Sequence, residues 1–177
     1  QMSGPGRGGV IGTTFHHSMM KVITGHKGTS LLKVTVRGHS VHSSQWDRGV
    51  SAVANAARIV AWLDDRTREN RDSADRSLPF DPPFTTLHCG MVRGGTAANI
   101  VSKHCEFVTD IRSLPDETID MWQERLERYI AEHILPEMKR VTPEADVTVE
   151  RLAHVPPLRP EDDGAAETLA RRLTGDN

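Results

Sequence analysis

The chain has 177 residues, 37% of them hydrophobic and 26% charged, enough for one domain with its own core. A net charge of -2 gives no electrostatic case for nucleic acid or an anionic membrane, and no apolar run approaches the roughly 20 residues that cross a bilayer. Two cysteines, Cys89 and Cys105, build no disulfide framework and no secretory signal is visible, so a cytoplasmic setting is expected.

The first acidic residue is Asp47, and Gly and Ser crowd the stretch from Gln1 to Gly12. Residues 1–19 read as a tag-like or disordered lead-in, with His16-His17 part of it rather than a metal site. The domain is expected over 20–155, Met20 to Thr24 forming an extended lead. From Thr29 to Gly38 the chain alternates. Leu32, Val34 and Val36 point one way, Lys33, Thr35 and Arg37 the other, which predicts a half-buried strand. Val50 to Leu63 is helical, with Ser51, Asn55 and Arg58 in one narrow polar stripe. The rest of its surface is mostly Ala and Val, too broad an apolar arc for a helix that covers one sheet. Burial on two sides is expected; the alternative is an alanine-rich helix that forms by propensity alone.

Asp64 to Phe84 is polar and punctuated by Pro79, Pro82 and Pro83, which predicts a loop. Thr85 to Val92 reads as a second strand, and Arg93-Gly94-Gly95-Thr96 turns the chain. Cys105, Phe107, Thr109 and Ile111 alternate with Glu106, Val108, Asp110 and Arg112 in a third. Leu114-Pro115-Asp116 ends it. Ile119, Trp122, Leu126, Tyr129, Ile130 and His133 then follow helical spacing until Pro136, and Val147 with Val149 marks a fourth strand.

The order β-α-β-β-α-β predicts an α+β, ferredoxin-like sandwich: a four-stranded antiparallel sheet with two helices on one face. The other face would carry Lys33, Thr35, Arg37, Asp110 and Arg112, open to water or a ligand. Residues 156–177 read as a stiff proline linker and a short helix, with Asp163 as its cap and Gly175 as its stop. The apolar stripe of that helix has no evident receiver within the domain, as expected of a chain cut from a larger one.

Chemistry-bearing residues concentrate between the first strand and first helix. His39 and His42 stand three apart, but their closest carboxylate is Asp47, whereas structural zinc takes four ligands and catalytic zinc three plus water. Ser43 and Ser44 beside His42 suggest a nucleophile, yet no elbow or acidic orienter accompanies them, and capping of the following helical turn is the plainer role. His88-Cys89 and His104-Cys105 sit inside strands, where neighbouring side chains point to opposite faces and cannot act together. Gly94-Gly95 matches no phosphate-binding loop.

Taken in order, the motifs resemble a known family. Thr24-Gly25-His26-Lys27-Gly28, Val36-Arg37-Gly38, His42-Ser43-Ser44 and Gly49 carry the likeness first. Phe80-Asp81-Pro82-Pro83-Phe84-Thr85-Thr86-Leu87, Gly94-Gly95-Thr96-Ala97-Ala98-Asn99-Ile100 and Asp110-Ile111-Arg112-Ser113-Leu114-Pro115 follow. Together they resemble the dimerisation, or lid, domain of zinc-dependent amidohydrolases of the acetylornithine deacetylase and succinyl-diaminopimelate desuccinylase type, over roughly Met20 to Asn177. The resemblance implies a unit inserted into a two-zinc catalytic domain, toward which residues 156–177 would return. It implies a homodimer formed through helix 50–63 and a sheet edge, and a small acyl amino acid substrate, N-acetylornithine in arginine biosynthesis. It also implies that His42 enters the partner's active site as an oxyanion contact, and that Asn99, Arg112 and Gly95 bind substrate. For Arg112 an ion pair with Asp110 is the alternative to a carboxylate grip.

One departure stands out. The family's Gly-Glu-Pro-Thr segment, which supplies a zinc ligand just before the lid, reads Gly12-Thr13-Thr14-Phe15 here. No metal ligand set or general base is found, so this chain alone is expected to hold no zinc and to be inactive. A free-standing ferredoxin-like binding or dimerisation module is the rival reading, and a defective gene product with a scrambled start a weaker one.

Overall fold

The computed structural model describes residues 22–161 and 164–175. Residues 27–157 form one compact unit, and the described residues flanking them form a second. The lead-in over 1–19 and the cap expected at Asp163 lie outside the described residues.

The larger unit runs β1 (Gly28–Arg37), a 3-10 turn (Ser43–Arg48), α1 (Ala52–Asp72), β2 (Thr86–Gly94), β3 (His104–Ser113), α2 (Ile119–Tyr129), a π turn (Ile130–Ile134), α3 (Leu135–Val141) and β4 (Asp146–Val155). The strands form one sheet in the order β2-β3-β1-β4, with every pairing antiparallel. This is the ferredoxin-like arrangement that the element order predicted. β1 lies between β3 and β4, so β2 and β4 are the edges. In the smaller unit, α4 (Ala165–Thr174) ends at Gly175, whose φ of 73° is the left-handed stop expected there. Its Leu169 and Leu173 are exposed.

Alternation along β1 and β3 builds the core. Leu32, Val34 and Val36 are fully buried, as are Cys105, Phe107, Thr109 and Ile111. All of these except Thr109 share one apolar cluster with Ala56, Ile59 and Leu63 of α1 and Trp122 and Leu126 of α2. Each large apolar side chain removed from water in this way contributes about 1.5–3 kcal/mol. On the opposite face Lys33 pairs with Glu106 at 2.9 Å, beside Thr35, Arg37, Asp110 and Arg112, as the period-two pattern requires.

Two expectations need correction. α1 does not stop near Leu63 but continues to Asp72 through residues read as loop. Its last turns are polar because they face water and because Thr67 and Asn70 hold the start of β2. The Thr67 hydroxyl accepts from Leu87 N and donates to a backbone carbonyl, and Asn70 Nδ2 donates to Thr85 O at 2.9 Å. The polar stripe Ser51–Asn55–Arg58 is tied to its surroundings by hydrogen bonds, although Arg58 stays exposed. Ser51 caps α1, Asn55 is buried with Nδ2 donating to Ser51 O, and Arg58 pairs with Glu137 and donates to His133 O. The other correction is that the second helical run passes Pro136 instead of ending before it. Proline lacks an N–H and its ring crowds the carbonyl one turn back. The π turn immediately before it widens the ladder, and Leu135 N donates to Ile130 O, five residues away.

Candidate functional site

β1 ends at Arg37, and the chain must double back to reach α1. Gly38 permits the tight reversal: a Cβ there would lie 1.9 Å from the carbonyl oxygen of Val50. The loop is tied across its base, His39 N donating to Val50 O at 2.9 Å and Val50 N to His39 O at 3.0 Å. A second loop, from Gly95 to Lys103, zips against it. Val101 N donates to Val41 O and Ser43 N to Asn99 O, both at 2.9 Å, and Ser40 Oγ donates to Val101 O at 3.0 Å. Ser102 fastens both loops to α1, its carbonyl accepting from Ala52 N at 2.7 Å and its hydroxyl from Val53 N at 3.0 Å.

His42 is exposed at the head of the 3-10 turn and caps it through its ring, Nδ1 accepting from Ser44 N at 3.2 Å. The Ser44 hydroxyl lies 2.8 Å from the same Nδ1. A backbone N–H can only donate, so Nδ1 must accept, and the neutral ring carries its proton on Nε2. The side chain is held in one tautomer with a donor left over. This corrects the capping role expected of Ser43 and Ser44: the caps are His42 for the turn and Ser51 for α1, whose hydroxyl accepts from Ala54 N.

Gly95 has φ of 83°, where a side chain would be strained, and its N–H donates to His104 O at 3.3 Å. With Ser51, Val53, Thr96 and Ile100 it lines a cavity of about 530 Å³. His42, Asn99 and Gly95 thus belong to two interlocked loops at one end of the sheet. Arg112 does not join them. It lies opposite Thr29 and Thr86, eight residues along β3 from His104, about 27 Å at the rise of an antiparallel strand. Its Nε and Nη2 donate to Asp110 Oδ2 at 3.0 and 2.9 Å, and Nη1 donates to Thr29 Oγ1 at 2.7 Å. Beside it Lys27 donates to the carbonyls of Pro82 and Phe84 at 3.0 and 2.7 Å, pinning the proline-rich segment. Burial pushes the Lys27 ammonium below its ordinary range; the neighbouring Asp81 carboxylate opposes that shift and the Arg112 charge adds to it. Nothing in the spacing of the sequence pointed to Lys27 or Ser102, because both act on distant backbone.

His39 and His42 gain no partners for a metal. Among the described residues no group of three or more His, Cys, Asp or Glu side chains is placed to hold one. The described residues therefore do not fit a zinc site. Purified chain treated with zinc and desalted is expected to retain well under one equivalent, and elemental analysis finding one or two tightly held ions would refute this.

A second surface lies on the flank of α1. Val53 is 41% exposed, and Ala54, Ala57 and Ala61 are also open. Val53, Ala57 and Ala61, with Val60 and with Leu87 and Val92 of the edge strand β2, line a mostly apolar groove of about 530 Å³. α1 is apolar on two sides and this chain buries one of them: Ala52 and Ala56 belong to the domain's own core, and the flank with Val53, Ala57 and Ala61 is exposed.

Comparison with known proteins matches residues 24–138 to the family described as Peptidase dimerisation domain. An acetylornithine deacetylase of Myxococcus xanthus is 34% identical over 109 residues, 59% of this chain and 27% of that protein. Another, from Photorhabdus laumondii, is 32% identical over 97 residues, 55% of this chain and 25% of that protein. The chain thus spans about a quarter of the length of these curated relatives. The solved structure of aminopeptidase PepT from Bacillus cereus superposes with a TM-score of 0.61 at 22% identity, covering 86% of this chain and 36% of that one. A hydantoinase/carbamoylase family amidase from Burkholderia multivorans gives 0.60 at 19% identity, covering 86% and 33%. At those identities the structures establish the shared fold.

Proposed function

The chain belongs to the M20 peptidase dimerisation domain family, and from that membership we propose that it is the dimerising, substrate-gripping lid of an N-acyl amino acid hydrolase in the cytoplasm. The observation that carries this reading is the presentation of His42. Its Nδ1 is occupied by Ser44, which leaves Nε2–H as the remaining donor of an exposed ring, on a loop whose backbone is hydrogen-bonded to that of Asn99. Such a donor suits a carbonyl oxygen that gains negative charge as an amide is attacked, since a preorganised N–H is worth most where charge develops. Asn99 and Gly95 would grip the substrate beside it. Arg112, at the far end of β3, would serve a different site from theirs or the sheet itself through Asp110. The metal that the family's chemistry uses, typically zinc, would be held by residues other than those described. N-acetylornithine, and with it a place in arginine biosynthesis, is the substrate that the curated relatives' names suggest.

The flank of α1 and the edge of β2 supply the second half of the proposal, a two-fold homodimer in which copies of the same surface meet. Val53, Ala57 and Ala61 recur every four residues, so they lie in one row on the helix and can pack closely against an equivalent row. The unmodified chain is expected to sediment as a dimer. Ala57→Glu buries a charge in that contact and should give a folded monomer, whereas Glu124→Lys, at an exposed position of α2, should leave the dimer intact. A monomer at high concentration for the unmodified chain would remove the dimer from the proposal.

A further inference from the structure

The turn that carries Gly95 has a second side, facing the open surface of the sheet. There Arg93, Lys103 and His104 surround a cavity of about 320 Å³ with Gly95 and Glu106. The only carboxylate in that set is already engaged: Glu106 pairs with Lys33 at 2.9 Å. That hydrogen bond, with the Lys33 charge and those of His104 and Arg93 behind it, holds the Glu106 carboxyl below its ordinary range. Among the described residues neither Arg93 nor Lys103 has a carboxylate partner. Arg93 and Lys103, with Lys33 behind them, thus outnumber the one carboxylate, Glu106, that lines this side of the glycine turn, and the His104 imidazole lines it too. The side chains of Arg93, Lys103 and His104 are all exposed.

We infer that this cavity is an anion subsite, and that the hydrolase acts on N-acyl amino acids bearing a second carboxylate rather than on N-acetylornithine. The inference rests on the lid reading above and narrows it. Ornithine's side chain ends in an ammonium, which Arg93 and Lys103 would repel; a carboxylate in its place would be drawn to the same charges. Acetylornithine shares its α-carboxylate with every N-acyl amino acid, so that group cannot discriminate. The second carboxylate has two possible positions, on the amino acid side chain or at the end of the acyl group.

The test uses the two-domain enzyme containing this chain and four substrates. N-acetyl-L-norvaline carries no second charge, N-acetyl-L-ornithine adds an ammonium, N-acetyl-L-glutamate adds a side-chain carboxylate, and N-succinyl-L-norvaline adds one on the acyl group. At least one dicarboxylate substrate should exceed N-acetylnorvaline in kcat/KM by about tenfold, with N-acetylornithine below both. Which dicarboxylate leads identifies where the second carboxylate sits. The double variant Arg93→Gln/Lys103→Gln should lose most of the ratio between the leading dicarboxylate and N-acetylnorvaline, with dichroism confirming an intact fold. The wild-type ratio should also fall as salt rises, because exposed charges are screened. N-acetylornithine as the best substrate overturns the inference and leaves the hydrolase reading standing. A ratio indifferent to both the double variant and salt overturns it too. Hydrolysis of none of the four overturns the hydrolase reading itself, and the subsite with it.

Discussion

Gly38→Ala is expected to destabilise the domain by about 2–4 kcal/mol, the range of a core overpacking that side chains cannot relieve. The added Cβ would sit 1.9 Å from Val50 O, 2.9 Å from Val50 C and 3.1 Å from Ala52 N. All three are backbone atoms, so no rotamer change makes room. The chain must open between His39 and Val50, where two backbone hydrogen bonds close the loop. Alanine gains about 0.4–1 kcal/mol by restricting the unfolded chain, far less than the clash costs. The loss should appear as a lower urea midpoint at unchanged slope. Gly90→Ala is the comparison: nothing lies closer to its added Cβ than 3.8 Å, and its midpoint should barely move. Equal midpoints for the two variants would mean that the reversal after β1 is looser than described. If His42 acts as proposed, the same opening should displace it, and the Gly38 variant of the proposed two-domain enzyme should lose activity as well.

The second large effect concerns His42 itself. In the two-domain enzyme His42→Ala should lower kcat by about 10²–10³, the usual cost of removing one oxyanion donor. If the histidine serves the neighbouring subunit, this variant should be rescued on mixing with one that keeps His42 but lacks a metal ligand. Each mixed dimer then holds one site with both parts and one with neither. Random exchange makes about half the dimers mixed, so recovery should reach roughly a quarter of normal activity. Differently sized tags confirm that subunits exchange. Mixed dimers without activity would return His42 to its own subunit's site or remove it from catalysis. The companion variant Ser44→Ala should cost less, since the backbone N–H of residue 44 still fixes Nδ1 after the hydroxyl is gone.

The sheet was legible because period two survives every local exception. Leu32, Val34 and Val36 announce one buried face, and Cys105, Phe107, Thr109 and Ile111 announce the strand beside it. Helix ends were not legible, for two opposite reasons. At Asp64 the hydrophobic pattern stops while the helix continues, because a helix can be held by hydrogen bonds from Thr67 and Asn70 that leave no apolar trace. At Pro136 a residue that usually ends helices is absorbed by a wider turn before it. In the site, the resemblance drew attention to His42, Asn99, Gly95 and Arg112, and the fold gathers the first three. Arg112 shows the limit of sequence: its distance from the others depends on strand register, which only the paired chain reveals. The Ser51 cap was hidden for a related reason. It was read as part of a stripe, whereas its hydroxyl and its backbone carbonyl serve α1 separately.

β1 and β4 are neighbours, and Thr29 near the start of one stands opposite Val155 at the end of the other. The chain therefore enters and leaves the larger unit side by side, about 5 Å apart at such a pair. That is the gap between adjacent strands of any hairpin. A host protein can accept this unit in place of a single tight turn without stretching either of its own ends. Evolution can move such a piece from one host to another as a plug with two adjacent pins, and each new host need only find a loop to receive it.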